Sequence, residues 1–134
     1  MLAQNFKTAA DLGISKAEHL ALQKVLGMLE RQEFVETDWK SDGPLPPLGF
    51  NMGMCFDKDE CGTVGCIGGW AAYFMSHPDP SAYVKESIRD GALHGLYWDH
   101  RCSGGNISQE AAAAALRSFL STGDANWKLA LSYS

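Results

Sequence analysis

In the stretch "CGTVGCIGGWAAYF", Cys61 to Phe74, two cysteines stand five positions apart among four glycines, ahead of an aromatic tail. Thr63 is suited to cap a helix running from Val64 to about Ser76, which sets Cys66 in the first turn. Unpaired backbone N–H groups and the helix dipole favour a thiolate there. Such a thiol could serve as a nucleophile, with His77, His94 or His100 as its base and Asp99 orienting that base. Alternatively, Cys55, Cys61, Cys66 and Cys102, with His94 or His100, could gather around zinc. The spacing speaks against both. Cys-x4-Cys is neither the Cys-x2-Cys of redox helices nor that of common zinc knuckles, and no second Cys or His pair of familiar spacing follows. Buried cysteine is otherwise an ordinary small core residue.

Other chemistries fail on single positions. "DKDECG" puts Asp57, Asp59 and Gly62 at the first, third and sixth places of a calcium loop, but the twelfth is Gly68, where a bidentate Glu is required. "GTVGCIGG" has no following Lys to reach a phosphate, and Gly-x-Gly-x-x-Gly spacing does not occur. The reading preferred for Cys61, Thr63, Gly65, Cys66, Gly68, Gly69 and Trp70 is therefore structural, with no catalytic residue, cofactor or metal assigned. Gly65 and Gly69, four apart with Gly68 beside them, form a groove where a second helix, such as one carrying Ala111 to Ala115, can approach closely. Trp70, Tyr73 and Phe74 supply the apolar surface of that helix.

The elements that position these residues read mostly as helices. Asn5 to Leu12 can be helical and stops at Gly13; Ser15 then opens a capping box with Glu18. Leu22, Val25, Leu26 and Leu29 recur with the period of one buried face, giving a helix from about Lys16 to Gln32. "SDGPLPPLGFNMGMCF" excludes regular helix and leaves at most a short strand at "FNM", followed by a solvated turn from Asp57 to Glu60. Asp79 and Pro80 start a helix that reaches about Arg89. "GLYWDHRCSGGN" reads as a loop with an aromatic anchor, and Ser108 caps a last helix, Gln109 to Ser121, closed by Gly123. The expected class is mainly α: one compact domain over residues 1–134 with four to five helices, an irregular Pro/Gly-rich middle and at most a short β element.

Composition narrows the partners. Sixteen acidic against eleven basic residues give a net charge of -5, which argues against binding to a phosphate backbone. Ala9, Leu12, Gly13 and Ile14 occupy places that suit a helix-turn-helix, yet His19 falls on a normally buried position. The would-be reading helix offers only Lys16, Glu18, Gln23 and Lys24, without Arg. No signal peptide or membrane span is read from the sequence, so a cytoplasmic protein is expected.

Three stretches together carry a resemblance: Phe50-Asn51-Met52; Cys61-Gly62-Thr63-x-x-Cys66-x-x-Gly69; and a run through Ala112, Ala113, Leu116, Phe119, Leu120, Thr122, Gly123 and Trp127. The chain from about Phe50 to Trp127 resembles a group of small uncharacterised proteins of phages and bacterial genomes. That resemblance implies an α-rich single domain in a phage or mobile-element setting and transfers no activity to particular residues. The expected function is a non-enzymatic binding module that contacts a host protein, such as a component of a defence system. The surfaces expected to make contact are the Asp38 to Pro47 loop, Asp57, Asp59 and Glu60, and Tyr97, Trp98 and Arg101. The alternatives are a metal or thiol site at Cys61 and Cys66 and, more weakly, a helix-turn-helix DNA-binding protein.

Overall fold

The capping box predicted at Ser15 is formed: Ser15 Oγ accepts the Glu18 amide at 3.0 Å and Glu18 Oε1 accepts the Ser15 amide at 2.9 Å. This comes from a computed structural model that describes residues 6–36, 47–51, 56–58, 62–87, 92–98 and 107–130. One turn, α1 (Ala9–Leu12), ends at Gly13, whose φ of 72° is the left-handed conformation glycine adopts without strain. Helix α2 (Lys16–Glu30) follows and buries the stripe of Leu22, Val25, Leu26 and Leu29. Its partner is α6 (Gln109–Thr122), which starts where Ser108 Oγ accepts the Ala111 amide at 3.1 Å and ends at left-handed Gly123. Ala111, Ala112 and Ala115 are wholly buried on α6, and small side chains there let the two backbones approach.

Between these helices the chain forms a small sheet. Strands β1 (Val35–Glu36), β2 (Gly49–Phe50), β3 (Phe56–Lys58) and β4 (Thr63–Gly65) lie in the order β1-β2-β4-β3. The first three in that order are parallel, whereas β3 pairs antiparallel with β4, Asp57 opposite Val64. The inner strands β2 and β4 are buried, with Phe50 and Val64 at 1% and 0% exposure, whereas both residues of the edge strand β1 are exposed. Gln109 fastens α6 to the sheet side: its Oε1 accepts the Phe34 amide at 3.1 Å and its Nε2 donates to the Phe34 carbonyl at 2.7 Å. Helix α3 (Ile67–Phe74) returns across the sheet, with buried Trp70 donating to the Gly49 carbonyl at 2.8 Å.

Three short elements complete the described chain. Asp79 caps α4 (Pro80–Ser87), its Oδ1 accepting the Ala82 amide at 3.1 Å, as the Asp-Pro pair predicts. The aromatic "GLYW" is helical in α5 (His94–Trp98) instead of a loop, and α7 (Trp127–Ala130) docks its Trp127 indole on the Gly95 and Leu96 carbonyls, both at 3.0 Å. Among the described residues there are seven helices, four of eight residues or more and three of a single turn or little more, so the molecule is mainly α. None of them is long and apolar enough to cross a membrane.

The central motif folds differently from its expected form. Thr63 is not a helix cap; with Val64 and Gly65 it is strand β4, because the β-branched pair fits the buried position between β2 and β3. The helix starts three residues later. Cys66 is its N-cap in extended conformation (φ −85°, ψ −175°), and its Sγ accepts the Gly69 amide at 3.3 Å. The glycine groove also has another occupant: a Cβ at Gly68 would lie 3.0 Å from Val84 of α4 and 3.1 Å from the Tyr97 ring of α5, while the alanine run of α6 faces α2. The expected turn from Asp57 begins as strand β3, where Asp57 pairs with Val64; Asp59 and Glu60 lie outside the described residues.

Candidate functional site

The features expected to do chemistry come together only in part. Cys66 is 3% exposed and its sulfur is engaged by the first turn of α3. His94 opens α5 and is half-buried. Cys55, Cys61, Cys102, His100, Asp99 and Arg101 lie outside the described residues, as does most of the Asp38 to Pro47 loop. Among the described residues no three His, Cys, Asp or Glu side chains are grouped to hold a metal ion.

Tyr97, expected as an exposed contact residue, is instead 2% exposed. It lies on the inner side of α5, and its hydroxyl is 3.0 Å from that of Tyr83 on α4, which in turn donates to Glu18 Oε2 of α2 at 2.7 Å. A buried aromatic with a polar tip is stable when that tip finds a partner, and this chain supplies one at each step. Burial raises the pKa of Tyr83 far above its ordinary value, and the Glu18 carboxylate adds to the rise. Burial also raises that of Tyr97, with Tyr83 as the next cause. The two phenols therefore keep their protons and, with the Glu18 carboxylate as the final acceptor, form a hydrogen-bonded tie joining α2, α4 and α5.

An aromatic surface lies one layer outward, at the end of α3. Trp70 points into the core, and the next turn of the helix carries Tyr73 and Phe74 to its rim; Tyr73 is 45% exposed. Phe56 of β3 stacks on Tyr73 with ring centroids 6.0 Å apart and meets Trp70 edge-on at 6.1 Å. Behind it, Ser81 Oγ donates to the Phe56 carbonyl at 3.1 Å and fixes β3 against α4. After α3 the chain turns through Ser76, whose φ is 60°, and the Asp79 amide donates to His77 Nδ1 at 3.0 Å. The result is a shallow concavity of about 560 Å³ whose walls include Phe56, Tyr73, Phe74, His77, Pro78 and Pro80. Lys24 of α2 reaches over the Phe74 ring, its Nζ 4.3 Å from the centroid.

An aromatic shelf of this kind offers ring surface with one hydroxyl, that of Tyr73, at hand, a chemistry suited to burial under another chain. Sequence reading takes Tyr73 and Phe74, with Trp70, as the apolar surface of one helix and does not single out Phe56. Trp70, Tyr73 and Phe74, spaced i, i+3 and i+4, share one face of α3, so residue type and spacing do not tell which of the three ends at the rim. Comparisons of the chain with known protein families, curated proteins and solved structures found no match.

Proposed function

We propose that the protein is a non-enzymatic binding module that contacts another protein through the aromatic shelf of Phe56, Tyr73 and Phe74. The observation that supports this reading is the placement of Tyr73: a large aromatic side chain left 45% exposed in a stacked aromatic cluster, beside a core that buries Trp70, Phe50 and Phe119. The resemblance of Phe50 to Trp127 to small phage and bacterial proteins supplies the setting, a phage or mobile element whose product acts on a host protein.

The test is affinity capture at near-native expression with wild-type and Tyr73→Asp baits, after confirming that both fold with the same circular dichroism and Tm. A stoichiometric partner of the wild type, lost with Tyr73→Asp, is the expected result. No partner, or one retained by the variant, would overturn the reading.

A further inference from the structure

The outer face of α2 carries charge and apolar surface in a pattern that points to the partner's chemistry, given the protein-binding reading above on which this step rests. The chain carries five more acidic than basic residues, yet the solvent stripe of α2 reads Lys16, Leu20, Lys24 at steps of four, one above the next on a single face. Both acidic residues of α2 are turned to other work. Glu18 accepts from the Ser15 amide and the Tyr83 hydroxyl, and Glu30 holds Arg117 of α6. Among the described residues neither Lys16 nor Lys24 takes part in an ion pair. Toward the end of the stripe Arg31 folds over Gly27 and pairs with Glu33, so the open positive charge is confined to the first two turns and the middle of the helix. Between the two lysines Leu20 is 67% exposed, and Lys24 lies on Phe74, which joins the stripe to the aromatic shelf.

We propose that the partner segment docking on this face is an acidic, apolar-bearing peptide segment, laid along α2 with carboxylates opposite Lys16 and Lys24 and apolar side chains against Leu20, Phe74 and Tyr73. The two lysines are separated by about 12 Å along the helix, roughly two turns of a partner helix or four residues of an extended strand. A nucleic acid is the poorer fit. It would meet an exposed leucine and an aromatic shelf beside Lys16 and Lys24, on a molecule whose net charge repels phosphate.

The probe is a synthetic amphipathic Glu/Leu peptide titrated into the full ¹⁵N-labelled chain, with a Lys/Leu peptide of the same pattern and a DNA duplex as parallel arms. The expected result is that only the Glu/Leu peptide moves the amides of Lys16, Leu20, Lys24, Tyr73 and Phe74, with affinity falling as salt rises. The double variant Lys16→Glu/Lys24→Glu should weaken it roughly tenfold while leaving Tm within a few degrees. Equal response to both peptides, response at another surface, or preferential binding of the duplex overturns the proposal. The double variant also separates this step from the one it rests on: a cellular partner lost with Tyr73→Asp but retained by Lys16→Glu/Lys24→Glu leaves the shelf as the contact and removes the acidic partner.

Discussion

Cys66 illustrates how position decides a residue's role. As an N-cap with 3% exposure it spends its sulfur on a backbone amide, so its thiol should react with a maleimide only after unfolding, as mass mapping of the Cys66 peptide would show. Labelling of the native protein at the rate of a free thiol would contradict this placement. Gly68 is a harder constraint. Alanine there gains about 1 kcal/mol of helix propensity, but its methyl meets Val84 and the ring of Tyr97, which the bond to Tyr83 holds in place. Crowding of about 1–3 kcal/mol exceeds that gain, so Gly68→Ala should lower stability by about 1 kcal/mol in urea unfolding. The tyrosine tie adds a pH dependence. In the folded protein both hydroxyls keep their protons above their ordinary value of 10.0, whereas the unfolded chain loses them, so the folded state binds more protons and stability falls as pH rises past 10. The tie is fully present below that pH. Tyr83→Phe should flatten the alkaline limb of stability measured by urea unfolding, and an unchanged limb would show that the tie is not its source.

At the scale of elements, the decisive join is between α6 and the sheet. Gln109→Ala leaves the buried amide and carbonyl of Phe34 without their partner, a loss of about 2–4 kcal/mol measurable by chemical denaturation. Much of the helical frame was legible in sequence because its signals are local: the capping box at Ser15, the Asp79-Pro80 start, and Ser108 and Gly123 at the two ends of α6. The strands were not, since each is two or three residues long and owes its conformation to partners distant in sequence, as Val64 does to Gly49 and Asp57. That is also why Thr63 read as a cap. A threonine before a glycine-containing apolar run looks the same whether it caps a helix or enters a buried strand, and only the pairing across β2 and β3 decides. Of the candidate site, the structural role of Gly68 and Trp70 was readable from residue type. The shelf was not, because Phe56 meets Tyr73 only once β3 has paired with β4.

For the whole molecule, the same packing that hides the tyrosine tie leaves Tyr73 and Leu20 exposed on the side where α2 meets α3. Helix α2 connects both regions: its inner stripe supports α3 and α6, Glu18 anchors the tie, and its outer stripe carries Lys16, Leu20 and Lys24 toward the aromatic shelf. In the proposed binding mode this helix would present its two lysines beside the aromatic shelf, with the aromatic side chains supplying the burial and the charges selecting the partner. The most direct measurement is site-specific photocrosslinking in cells at near-native expression, with a benzoylphenylalanine placed at Tyr73 and, as a control, at Ser118 on α6. A single discrete protein adduct from position 73, absent from position 118 and reduced by Lys16→Glu/Lys24→Glu, is the predicted result. No adduct at 73, or equal adducts at both positions, would contradict the account.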